Sequence, residues 1–180
     1  MHHDAPFAQL DCLRVLGQDL RTSSQRVLEG LKWGLEQGYP LIHCSFGTTA
    51  LQHLPEYKEV VDQAYCQNAW IVAASGALGR SKELPASFPS VFGVRMGPWA
   101  DADQILRNPG ALPEYQAAGQ DIRCPWLGQT YRNLTGSSVA APRLTALLAR
   151  VRRDAPSMGL WEAKQKLIEQ LPLSGPMPRD

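Results

Sequence analysis

The chain has 180 residues, of which 44% are hydrophobic, and a formal net charge of +1 at pH 7. That is enough apolar material to bury a sizeable core in one domain, while a nearly neutral balance leaves no electrostatic footprint for nucleic acid or an anionic membrane as partner. No apolar stretch approaches the ~20 residues that span a bilayer. Met1-His2-His3-Asp4 lacks the basic and apolar regions of a secretory signal, so the expected compartment is the cytoplasm. The four cysteines, Cys12, Cys44, Cys66 and Cys124, are too scattered for a zinc motif and read as buried, reduced thiols. No metal and no cofactor is expected.

Taken in order, the chain alternates strand and helix. Leu10 to Leu16 reads as a strand ending at Gly17, followed by a helix with Val27, Leu28, Leu31 and Leu35 on one face. Ser23 or Ser24 caps that helix and Gly38 ends it. Leu41 to Phe46 is a short apolar strand closed by Gly47. A second helix starts at Pro55, whose missing N–H costs nothing in a first turn, and presents Tyr57, Val60, Val61 and Ala64 before Asn68. Trp70 to Ala74 reads as a buried strand and Ser90 to Arg95 as the next. Repeated strand–helix–strand units imply parallel strands with right-handed crossovers, hence an α/β layered fold.

From Pro98 to Gly128 the prolines and glycines predict turns and loops, with Asp121 to Cys124 as one short strand. The run Gly136-Ser137-Ser138-Val139-Ala140-Ala141-Pro142, continued by Leu144, Leu147, Leu148 and Val151, places a serine hydroxyl at a helix start, where backbone N–H groups favour developing negative charge. Ser157 caps a last helix carrying Trp161, Leu167, Ile168 and Leu171. Residues 1–171 are expected to form one domain, and 172–180 a flexible tail. Arg143, Arg150, Arg152 and Arg153 fall on or after the helix that follows Ser138, and the last three suit its C-terminal dipole; they read as a solvated helix end, with a docking patch for an acidic partner as the alternative. The five tryptophans, spread over different elements, suit packing rather than a stacked ligand.

The serine run resembles the nucleophile motif of the subtilisin-like serine peptidases, and further blocks follow in that family's order. Ala5-Pro6-Phe7 through Val15-Leu16-Gly17 resembles the strand after the family's histidine helix, and Gly30 to Leu35 the helix that follows. Ile42-His43-Cys44-Ser45-Phe46-Gly47 resembles the substrate-lining strand, and Ile71 to Ala77 the strand ending at the oxyanion asparagine. Phe88 to Val94 and Ala117 to Ile122 match later blocks leading into Thr135-Gly136-Ser137-Ser138. The resemblance implies a truncated, three-layer subtilisin-like fold, a parallel sheet flanked by helices, from a bacterial setting. It also implies a substrate groove at Ser45, Phe46, Gly47, Ser75, Gly76 and Ala77.

Departures from the family shape the expected function. No His-Gly-Thr-His type motif and no aspartate strand occurs, and Ala77 stands where the family has its oxyanion asparagine. In a subtilisin, losing that donor costs about 10²–10³ in rate and losing the histidine about 10⁶. The resemblance therefore implies a pseudopeptidase that binds a peptide or protein partner, with Ser138 a vestigial nucleophile. The alternative is a serine hydrolase in which Ser138 uses a base from His43 or from a partner chain, as a complemented subunit or homo-oligomer. Because side chains alternate along a strand, His43 and Ser45 share a face, with Ser45 expected near Ser138. In the family the aspartate strand lies between the strands resembling Leu10–Leu16 and Leu41–Phe46; without it these two are expected to pair directly, or another chain to fill the gap.

Overall fold

The structure, a computed structural model, describes residues 4–19, 21–76, 83–97 and 104–173. Ser23 accepts a hydrogen bond from Arg26 N–H and so opens helix α1 (Ser24–Glu36), which ends before Gly38 at φ +75°. Strand β1 (Leu41–Cys44) leads through a short 3-10 turn, Leu51–His53, into α2 (Leu54–Cys66), with Pro55 in the first turn as the sequence predicts. Strand β2 (Trp70–Ala74) is buried at every position, which matches its unbroken apolar run. Then come β3 (Phe92–Gly97), β4 (Ile105–Arg107), β5 (Tyr115–Ala118), β6 (Ile122–Trp126), β7 (Thr130–Leu134), α3 (Ser137–Asp154) and α4 (Leu160–Gln170).

A five-stranded sheet in the order β1-β2-β3-β5-β4 forms the middle layer. Its first four strands are parallel and β4 is antiparallel to β5. On one face α1 and α2 bury Leu28, Leu31, Tyr57, Val60 and Val61 against Ile71 and Ala73. On the other, α3 and α4 bury Ala141, Leu144, Leu148 and Leu167 against Trp70, Val72, Phe92 and Val94. The molecule is thus the α/β, three-layer arrangement expected, with a mainly parallel sheet between helices. No helix among the described residues is long and apolar enough to cross a membrane.

Several expectations need correction. Residues 10–16 form no strand, and among the described residues β1 pairs only with β2, so the predicted pairing of the two segments does not occur. Instead a cavity of about 610 Å³, lined mostly by apolar side chains, separates them. Side chains from both segments line it, Leu10 and Leu13 from one and Ile42 and His43 from the other. The 98–128 segment holds β4 and β5 besides β6, and β5 is wholly buried. Gln116, polar in the middle of β5, is satisfied there: its amide oxygen accepts from Arg95 Nε at 2.8 Å. Helix α4 starts after Gly159 rather than at Ser157, because the Glu162 carboxylate accepts from Gly159 N–H (2.7 Å); its buried face is Leu160, Ala163, Lys164 and Leu167, leaving Trp161 and Ile168 exposed.

Residues 172 and 173 are not a free tail, since Pro172 O accepts from Arg107 N–H (2.9 Å) and Leu173 bridges Arg107; 174–180 lie outside the described residues. Only Cys44 among the four free cysteines is buried, and burial pushes its thiol up to about 11. Arg152 is buried at the end of α3 rather than solvated. Its guanidinium donates to Pro156 O and Met158 O, and to Asn68 O (2.7 Å) and Pro40 O (3.4 Å), and lies 3.6 Å from the Trp70 ring centre.

Candidate functional site

The start of α3 is pinned at the C-terminal edge of the parallel sheet, the usual place for a binding crevice in such folds. Gly136 reaches the helix at φ +154°, a conformation that favours glycine, and its N–H donates to Gly119 O (2.8 Å) just beyond β5. Ser137 is buried, with its Oγ accepting from Met96 N–H in β3 (3.0 Å). Of the two serines the sequence offers, Ser137 is therefore structural. Ser138, the second residue of α3, is exposed and brings its hydroxyl to the first turn.

The positions expected to line a groove lie beyond the ends of β1 and β2. Ser45, Phe46 and Gly47 follow β1, while Ser75 and Gly76 follow β2; Ala77 lies outside the described residues. Ser45 Oγ lies 3.5 Å from Ser138 O, the proximity that the family resemblance implies. Ser75 is buried, its N–H donating to Val94 O (2.8 Å) and its hydroxyl without a partner among the described residues.

His43 does not reach the Ser138 hydroxyl. Its Nε2 meets Ser45 Oγ at 2.6 Å and its Nδ1 meets Thr145 Oγ1, on α3, at 2.9 Å. Thr145 Oγ1 in turn donates to Ala141 O (3.1 Å). One proton assignment satisfies all three contacts: Ser45 donates to Nε2, Nδ1–H donates to Thr145, and Thr145 donates to the helix carbonyl. That neutral tautomer agrees with burial, which lowers the imidazole from 6.5 to about 4. Thr145 was not legible in the sequence, where it is only one polar residue on an apolar-periodic helix 102 positions away.

Glu83 is a second residue that the sequence did not single out. Its N–H donates to Ser87 Oγ (3.0 Å), and its carboxylate accepts from Gly76 N–H. Reciprocal bonds between Thr48 and Leu84 hold the loop in place. A Cβ on Gly76 would displace this carboxylate from its place against the Gly76 N–H.

Of the other histidines, His53 precedes α2 and stands 3.9 Å from Glu56, while His2 and His3 lie outside the described residues. Among the described residues no cluster of three His, Cys, Asp or Glu side chains could hold a metal ion.

No protein-family model matches the sequence. The chain is 29% identical over 176 residues to the minor extracellular protease Epr of Bacillus subtilis, covering 95% of this chain and 27% of that protein. It is 29% identical over 154 residues to subtilisin BL of Lederbergia lenta (85% and 56%). It is 26% identical over 172 residues to subtilisin DY of Bacillus licheniformis (91% and 61%). The chain therefore spans between roughly a quarter and three fifths of these relatives. In fold it is similar to the prenylagaramide maturation protease PagA, with a TM-score of 0.70 at 19% identity over 91% of this chain and 63% of that one. Sphericase gives 0.66 at 18% identity, covering 86% and 57%.

Proposed function

We infer, from a chain that is a sequence relative of the subtilisins and corresponds to the C-terminal part of a subtilase, that it serves as a peptide- or protein-binding subunit whose Ser138 is catalytically silent in the isolated chain. The observation that carries this reading is the position of His43, whose two ring nitrogens are spent on Ser45 and Thr145. A serine hydroxyl without a base is a poor nucleophile at neutral pH. Ala77, at the position resembling the oxyanion asparagine, also lacks the side-chain donor. What such a chain retains is an edge at Ser45–Gly47 along which an extended peptide can lie.

Two measurements on the purified 180-residue chain test this. Immobilised protein should retain peptides from a casein digest and release them uncut. Treatment with a fluorophosphonate probe followed by peptide mapping should give no adduct at Ser138. Retention of no peptide would remove the binding role, and cleavage or a Ser138 adduct would remove the silent one. A second reading, a hydrolase whose base comes from a partner chain, is favoured by the exposure of Ser138 at the start of α3, which leaves its hydroxyl open to an incoming imidazole. It predicts a Ser138 adduct only when a complementing chain is added.

A further inference from the structure

The hydrogen-bonded set Ser45–His43–Thr145 has the arrangement of nucleophile, base and orienting group, without involving Ser138. Ser45 Oγ is 2.6 Å from Nε2, within the reach a general base needs. The opposite nitrogen is fixed at 2.9 Å by Thr145, itself anchored to the helix backbone at Ala141 O. Such an orienting bond selects the tautomer in which Nε2 is free to take a proton. All three side chains line the large cavity beside β1, whose other walls include Leu10, Leu13, Leu31, Ile42 and Ala149. A concave, mostly apolar chamber with a few converging polar groups is the expected form of a small-molecule site. Ser45 Oγ also lies 3.5 Å from Ser138 O in the first turn of α3.

We propose that Ser45, with His43 as base and Thr145 as positioning residue, is an acyl-accepting nucleophile for esters of apolar carboxylic acids, the acyl group occupying the cavity beside β1. Ser45 Oγ forms a bond to the acyl carbon while its proton passes to His43 Nε2. The bond from the acyl carbon to the alcohol oxygen breaks, and the alcohol leaves with that proton. A water molecule, giving its proton to His43, then attacks the acyl-serine; the carboxylic acid departs and the proton returns to Ser45. The apolar walls select the acyl side, and nothing in this step needs a peptide in the groove.

The probe is p-nitrophenyl butyrate, an ester with a good leaving group. The purified chain should release p-nitrophenol and carry a butyryl adduct that peptide mapping assigns to Ser45. Ser45→Ala and His43→Gln should each reduce release at least about tenfold, whereas Lys58→Ala, an exposed position on α2, leaves it unchanged. Thr145→Val should lower the acylation rate while the butyryl group still maps to Ser45. Ser45→Cys, which keeps a nucleophile in place, should form the thioester and thereby separates loss of chemistry from loss of fold. No adduct on the wild-type chain, an adduct elsewhere, or full activity in Ser45→Ala would overturn the proposal. A Ser138 adduct with fluorophosphonate bears on the silent-serine reading alone, so the two can fail separately.

Discussion

The ring of His43 is neutral because of where it lies, and that has a thermodynamic signature. Its folded value, about 4, is below the 6.5 of an unfolded histidine, so between these limits the unfolded chain binds a proton that the folded chain refuses. The contribution to stability is whole above pH 6.5, declines as pH falls and is lost on passing through about pH 4; the shift bounds it at about 3 kcal/mol. Thermal midpoints of wild type and His43→Gln should therefore converge on acidification over this window, and a constant difference would contradict the burial argument. At this scale the sequence was informative only where function rests on local pattern. Ser138, at a glycine-led helix start, and the His43/Ser45 pair, two apart on a strand, could be found from spacing. Thr145 and Glu83 could not, because each acquires its role from a partner on a different element.

Elements were legible in proportion to how much of their stabilisation is their own. Helix α1 carries an N-cap serine, α2 a first-turn proline, and both a regular apolar spacing, and they form where these signals place them. Strand β5 carries none of this: Tyr-Gln-Ala-Ala between turn residues becomes central only because β3 and β4 lie on either side and Arg95 satisfies Gln116. Residues 10–16 are the opposite case, with a strand's composition but no partner strand among the described residues; a segment becomes a strand only when another strand accepts its hydrogen bonds. Helix α3 ties the site to the core, since the element that begins at Ser137 also supplies fully buried Leu144 and Leu148. Leu144→Ala should destabilise the protein by about 2–5 kcal/mol in denaturant unfolding. A loss below 1 kcal/mol would mean that the layer between α3 and the sheet is less tightly packed than described.

For the molecule as a whole, seven colinear blocks of family resemblance were enough to fix layer order and the place of the serine-bearing helix, and the relatives and fold neighbours agree with it. What that frame could not convey was how the edge beside β1 is finished, because it depends on distances between segments rather than on either segment's composition. The buried Arg152 holds a different lesson. One guanidinium joins carbonyls from before β1, before β2 and beyond α3, the most distant of them 112 residues from Arg152 in sequence. Such a knot can be tied only after the sheet has assembled, so in kinetic terms it belongs to the native side of the folding barrier. Arg152→Ala, which leaves several carbonyls without their cation, should cost about 3 kcal/mol. Nearly all of it should appear as unfolding that is faster by roughly a hundredfold, with the refolding limb of the chevron unmoved. In this chain a single cation acts as a latch, governing how long the native state lasts while leaving the speed at which it forms to the sheet and its helices.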